Sequence, residues 1–246
     1  MKKLMTLVFA LLPSLVFAAG GSSVPLDNPN NDIRDKASLQ NGAKLFMNYC
    51  FGCHATQYQR YERVATDLGI PSELMKENLM FDPELNIGEL MTNPMKAEDG
   101  AKWFGTAPPD LTLVARVRGT DWLYTYLRTF YADPSRPFGV NNIVFPNVGM
   151  PHVLEELQGV PQPVWGKTVV GGEEVDTVVG VQTDGTGELS TSEYDAAMRD
   201  LVNFLQYAAD PVQVEREQLG IWVLLFLVIF TAVAFLLYKE YWRDIH

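Results

Sequence analysis

Both cysteines of this 246-residue chain and one of its three histidines fall within five positions, Cys50-Phe51-Gly52-Cys53-His54. C-x-x-C-H is the attachment signature of c-type haem. Two thiols one helical turn apart can add to the two vinyl groups on one edge of a porphyrin. The histidine that follows then falls under the ring and can present its imidazole to the iron. A C-x-x-C pair also serves thiol redox chemistry, and an exported chain can close a structural disulfide. Neither accounts for the adjacent histidine. One covalently attached haem c is therefore expected, with His54 as an axial ligand.

The opposite axial position has few candidates. His246 is the last residue, beyond an apolar run, and lies on the wrong side of it. Met198 falls at a core-periodic position of a helix. Met75, Met80, Met91 and Met95 occupy a polar stretch with Pro and Asn, where methionine fills gaps or lies at the surface. Met150 differs, because Gly149 and Pro151 flank it in a stiff extended loop that permits close backbone approach. His152, two residues on, stays open as a rival ligand; otherwise it faces solvent or bonds a haem propionate. A thioether ligand would raise the reduction potential relative to a second imidazole.

The site needs helices to carry it. Leu45, Phe46 and Tyr49 lie at one-turn spacing in "GAKLFMNYC", which predicts a helix ending at the cysteines and capped by Ser38 or Asn41. A second helix is predicted in "STSEYDAAMRDLVNFLQYAADP". There Ser190 and Glu193 form a capping box, and Tyr194, Ala197, Met198, Leu201, Leu205 and Ala208 repeat on one face. Lys167–Gln182 reads as a small hairpin around Gly171-Gly172. The expected class is mainly α: a class I cytochrome c-like haem domain with loop insertions, plus one C-terminal transmembrane helix.

Both ends of the chain are apolar. Met1–Ala18 combines Lys2 and Lys3, an apolar core and small residues at the end, the pattern of a secretory signal peptide. Leu219–Tyr238 is uncharged and, as a helix, spans about 30 Å, the thickness of a bilayer core. Trp222, Tyr238, Tyr241 and Trp242 read as interfacial anchors, and Lys239 and Arg243 agree with a cytoplasmic tail. The expected division is a signal peptide at 1–18, an N-terminal extension at 19–36, the haem domain at 37–211, a linker at 212–218, the span at 219–238 and the tail at 239–246. The haem domain would lie in the periplasm, held by a single pass of the inner membrane.

Without Lys2 and Lys3, 17 basic residues face 30 acidic ones, a formal net charge of −13. That charge opposes binding to nucleic acid and fits steering of a basic partner, or simple solubility. Glu62, Asp67, Glu73, Glu77, Asp82, Glu84 and Glu89 give the region after the motif its acidity, as a docking face or a solvated surface. There is no internal repeat, no Gly-rich phosphate loop and no Ser/His/Asp or paired-carboxylate constellation.

C-x-x-C-H early in the chain, "GTAPPDLTLVARVRG" in the middle, "NVGMPHVL" later and a C-terminal span together resemble the cytochrome c1 family in its bacterial form, over residues 27–246. The family supplies the haem c subunit of the ubiquinol–cytochrome c oxidoreductase. The resemblance implies that Cys50 and Cys53 carry the haem and that His54 and Met150 bind its iron. It further implies that Pro108 and Pro109 pack against the haem, Arg118 pairs with a propionate and Trp122 is an aromatic near the haem. The stretch 138–145 is short compared with some relatives, and the extra cysteine pair of some bacterial members is missing. Implied partners are cytochrome b, a Rieske iron–sulfur protein and a cytochrome c acceptor, within a dimeric complex in the lipid bilayer. The chain would be an electron carrier by itself and catalytic only within that complex. Two other readings stand beside it. One is a membrane-anchored cytochrome c donating to a terminal oxidase or denitrification enzyme. The other is a haem enzyme such as a peroxidase, with an open iron position.

Overall fold

Helix α1, Lys36–Leu45, runs into a single π-helical turn, Phe46–Cys50, that delivers the motif. This computed structural model describes residues 24–170 and 173–245; the proposed signal peptide, Gly171, Gly172 and His246 lie outside them. The helix before the motif starts earlier than its sequence suggests. Its cap is Asp35, whose carboxylate accepts from the amides of Ala37 and Ser38, so neither Ser38 nor Asn41 caps it. Both instead reach Asp200, at 2.6 and 2.7 Å. Asp35 can accept from two otherwise orphaned first-turn amides, which suits it to the cap.

Downstream come β1 Thr56–Arg60, α2 Tyr61–Leu68, α3 Ser72–Leu79, β2 Leu90–Met91 and α4 Ala97–Phe104. Then follow α5 Val114–Arg118, α6 Thr120–Arg128, β3 Phe130–Ala132, β4 Val140–Asn142 and the short α7 Glu155–Gln158. A hairpin of β5 Gln162–Val170 and β6 Glu173–Gln182 precedes α8 Thr191–Ala209 and α9 Gln213–Tyr241. The strands form three separate antiparallel pairs, β1 with β2, β3 with β4 and β5 with β6. Helices dominate, as the class I cytochrome c-like reading requires.

The frame is the crossing of α1 and α8. A Cβ added at Gly42 would stand 2.0 Å from the Asp200 carbonyl oxygen, so only glycine lets the two backbones come so close. Phe46 and Phe204 pack beside that crossing with ring centroids 5.5 Å apart. Helix α8 begins with the expected capping box, Ser190 with Glu193, and every apolar position named for it is buried. Asn203 in its middle donates to the Asp32 carbonyl and to Ser38 Oγ, at 2.7 and 2.9 Å. The segment before α1 is thereby fastened to α8; Arg199 adds a bond to the Pro29 carbonyl at 2.7 Å. Met75, Met91 and Met198 are fully enclosed in this core, and Met80 is buried too, as gap-filling methionines.

The hairpin is longer than Lys167–Gln182: its pairing begins at Gln162 opposite Gln182, with a bulge between Val164 and Trp165. It stands away from the core, and Trp165 is 65% exposed. Helix α9 extends beyond the apolar run at both ends. The stretch 213–218, read as linker, forms its first turns, and none of its residues is buried. Its 29 residues rise about 44 Å. Among the described residues it alone is long and apolar enough to cross a membrane.

Candidate haem site

The motif follows directly from the helix end. Phe51 N donates to the Phe46 carbonyl five residues back, closing the π turn at 2.9 Å. The amides of Cys53 and His54 then both donate to the Cys50 carbonyl, at 3.1 and 2.8 Å. The motif is thus one further helical turn, the spacing that thioether attachment needs. Both thiols are free; Cys50 is buried and Cys53 partly exposed. Burial pushes the Cys50 thiol up to about 12 and raises that of Cys53.

His54 is oriented through its backbone-side nitrogen. Nδ1 lies 2.7 Å from the Pro109 carbonyl oxygen, so it donates there and leaves Nε2 for a metal. Desolvation lowers the His54 pKa, partly countered by that carbonyl and by Asp110. The imidazole is kept neutral, the form a metal ligand requires. The proline segment is itself pinned: Leu111 N donates to the Ala55 carbonyl and Gln57 N to Asp110 Oδ2, both at 2.8 Å. A cleft of about 320 Å³ opens here, with Cys53, Ala55, Met95 and Pro108 among its walls.

Helix α4 connects the proline pair to the methionine loop. A Cβ on Gly100 would lie 2.7 Å from Pro108 Cδ, and one on Gly149 would lie 3.0 Å from the Phe104 carbonyl oxygen. The close approach expected of Gly149 is therefore present. Met150 is partly exposed, and its sulfur accepts a hydrogen bond from the Tyr126 hydroxyl at 3.3 Å. Trp122 stacks on Tyr126 at 4.9 Å, and the Arg118 guanidinium sits 5.0 Å over the Trp122 ring. Among the described residues Arg118 makes no ion pair, so its charge remains available for a carboxylate.

His152 takes a different place. It is 6% exposed, its ring stacks on Phe130 at 5.0 Å, and burial pushes its pKa down to about 4. It does not face solvent. Its Nε2 has no hydrogen-bond partner among the described residues.

The short stretch 138–145 is organised by two buried asparagines that the motifs do not reveal. Asn142 donates to the Tyr126 carbonyl at 2.8 Å and accepts from the amides of Val144 and Phe145. Asn141 accepts from the amides of Asn142 and Asn147. Arg118, Trp122, Tyr126 and Phe130 recur at four-residue spacing, a signal in the sequence that would have flagged Tyr126.

The residues present suit haem c. Two free thiols stand one turn apart, an oriented neutral imidazole follows them, a thioether sits in a braced loop and Arg118 has no counterion among the described residues. A sequence profile of the Cytochrome C1 family matches residues 30–245. The chain belongs to the cytochrome c1 family. Members of this family carry one covalently bound haem c. The cytochrome c1 of Allochromatium vinosum is 51% identical over 246 residues, the whole of both chains. That of Rhodospirillum rubrum is 27% identical, over 86% of this chain and 83% of its own. A protein of Nitrosomonas europaea called ammonia monooxygenase gamma subunit is 43% identical, over 98% of this chain and 97% of its own. Homologous cytochromes c1 are membrane-anchored, in keeping with α9.

Proposed function

We propose that this chain is the electron-transferring haem c subunit of a ubiquinol–cytochrome c oxidoreductase, taking single electrons from a Rieske iron–sulfur protein and passing them to a cytochrome c. Bound at this site, haem c supplies a one-electron Fe(III)/Fe(II) couple. Cys50 and Cys53 would hold it through thioethers, and His54 Nε2 and Met150 Sδ would be its two protein ligands. With both bound, no position would be left for a substrate, which favours relay over peroxidase chemistry. Arg118 offers a charge-assisted bond to a propionate, and Pro108 and Pro109 cover the ring beside Cys53.

The observations that carry the reading are an oriented His54 and a separately braced Met150 in a cytochrome c1 chain with an apolar helix near its C-terminal end. Helix α9 would lie beside cytochrome b, with the haem domain on the periplasmic side and the last residues in the cytoplasm. The proposed boundaries keep the signal peptide at 1–18 and the haem domain at 37–211. Glu62, Glu73, Glu77, Asp82, Glu84 and Glu89 are exposed and suit a basic cytochrome as acceptor, while Asp67 is taken up by Arg63 and Tyr207. The complex would be a dimer.

Purification of the intact membrane complex with its subunits identified tests the assignment. Cytochrome b and a Rieske protein should accompany this chain. Their absence, with a terminal oxidase or a denitrification enzyme in their place, would support the membrane-anchored cytochrome c reading instead.

A further inference from the structure

Tyr126 has a hydroxyl whose one partner among the described residues is a sulfur. It donates to Met150 Sδ at 3.3 Å, a weak acceptor that a partly buried phenol seldom takes when an oxygen is in reach. The ring has no freedom to look elsewhere. Trp122 stacks on one face at 4.9 Å with the planes 10° apart, and Phe130 meets it edge-on at 5.1 Å. The backbone beneath is fixed as well, because Asn142 Nδ2 bonds the Tyr126 carbonyl at 2.8 Å.

A thioether sulfur has two lone pairs. From this geometry we infer that Tyr126 is a positioning residue for Met150: its hydroxyl occupies one lone pair, leaves the other for the iron, and thereby raises the reduction potential. The inference rests on the reading that Met150 is the axial ligand. Ferric iron draws more donation from its ligands than ferrous iron does. A hydrogen bond to the sulfur withdraws some of that donation, so it disfavours the ferric state. Outer-shell partners of metal ligands act in this way, through ligand orientation and electron density. The neighbouring stack links Tyr126 through Trp122 to Arg118, so one helical face meets both the axial ligand and the cation available for a propionate.

The test is a potentiometric titration of the full-length holoprotein in its membrane complex, at neutral pH, beside its near-infrared spectrum. Tyr126→Phe keeps the stack and removes only the hydroxyl. It should lower the midpoint potential and shift the Fe–S(Met) charge-transfer band, with the unfolding midpoint little changed. Incorporation of 3-fluorotyrosine in place of Tyr126 strengthens the donor and should move the potential upward. Opposite shifts support the hydrogen bond. Unchanged potentials, or two shifts of the same sign as altered packing would give, overturn it. Met150→Leu separates the two readings. If it loses the band while Tyr126→Phe leaves potential and band unaltered, the Tyr126 inference alone fails. If Met150→Leu keeps the band, the ligand assignment fails and takes the inference with it.

Discussion

His54 and Met150 are held by supports of different kinds. His54 stands one turn beyond the π turn that ends α1, its amide bonded to Cys50 four residues back and its ring to one main-chain carbonyl. Helix α1 is locked against α8 at Gly42, so the imidazole inherits a rigid backbone. Met150 sits in a loop with no regular structure. Its bracing comes from Phe104 of α4, Tyr126 of α6 and, through Asn141 and Asn142, from the turn after β4. One side is backbone, local and contiguous; the other is side-chain, distant and assembled from several segments. Under the proposed ligation, the potential can vary on the methionine side without disturbing attachment on the histidine side.

The most drastic way to test that contrast is Met150→Leu. It should abolish the Fe–S(Met) near-infrared band and drop the midpoint potential steeply, while the haem stays covalently bound on a denaturing gel. Loss of attachment would mean that the two sides are not independent. On the frame beneath the histidine side, Met198→Ala empties a fully enclosed site in α8. It should cost about 2–5 kcal/mol in denaturant unfolding of the detergent-solubilised chain, with the visible spectrum of the folded protein unchanged.

Tyr61, buried against Phe51 of the motif, gives the same frame a pH signature. Burial, with Asp82 adding to it, pushes its phenol from 10.0 up to about 12. The unfolded chain therefore loses this proton first. The stability contribution is complete below pH 10 and is lost as pH rises toward 12, by about 3 kcal/mol. Tyr61→Phe should flatten that alkaline decline and cost little at neutral pH, since the hydroxyl has no hydrogen-bond partner among the described residues. Unfolding curves recorded across that range decide it.

Asn142→Ala probes the methionine side. Removing three loop hydrogen bonds should cost about 1–3 kcal/mol. It should also weaken the Fe–S(Met) band on warming before the bulk of the protein unfolds. Simultaneous loss would show the loop to be as cooperative as the helical frame. The smallest effect is expected outside both regions: Trp165→Ser on the projecting hairpin should shift stability by no more than about 0.5 kcal/mol in the isolated chain.

The difference between the two sides is also a difference in legibility. C-x-x-C-H could be read at once because its chemistry is local: attachment and coordination both depend on spacing within five residues. The capping box of α8 and its buried face were readable for the same reason, since helical periodicity is a short-range property. The α1 cap was misplaced because several polar residues there offer cap chemistry, and the contact with Asp200 claims two of them. Asn141 and Asn142 left no motif, because their partners lie elsewhere in the chain or in irregular turns; Tyr126 left only its four-residue spacing from Trp122, which does not name Met150 as its partner.

The sequence by itself determined the C-x-x-C-H motif that family members' haem c calls for, the helical frame, the apolar final helix and the "GMP" loop that singles out Met150 as a candidate ligand. Each depends on residues close together along the chain. Only the tertiary structure decided that His152 stacks inside on Phe130, that Asp35 begins the first helix, and that a tyrosine hydroxyl meets the methionine sulfur. Those outcomes depend on which polar groups lose water together when distant segments pack, and local spacing carries no record of that.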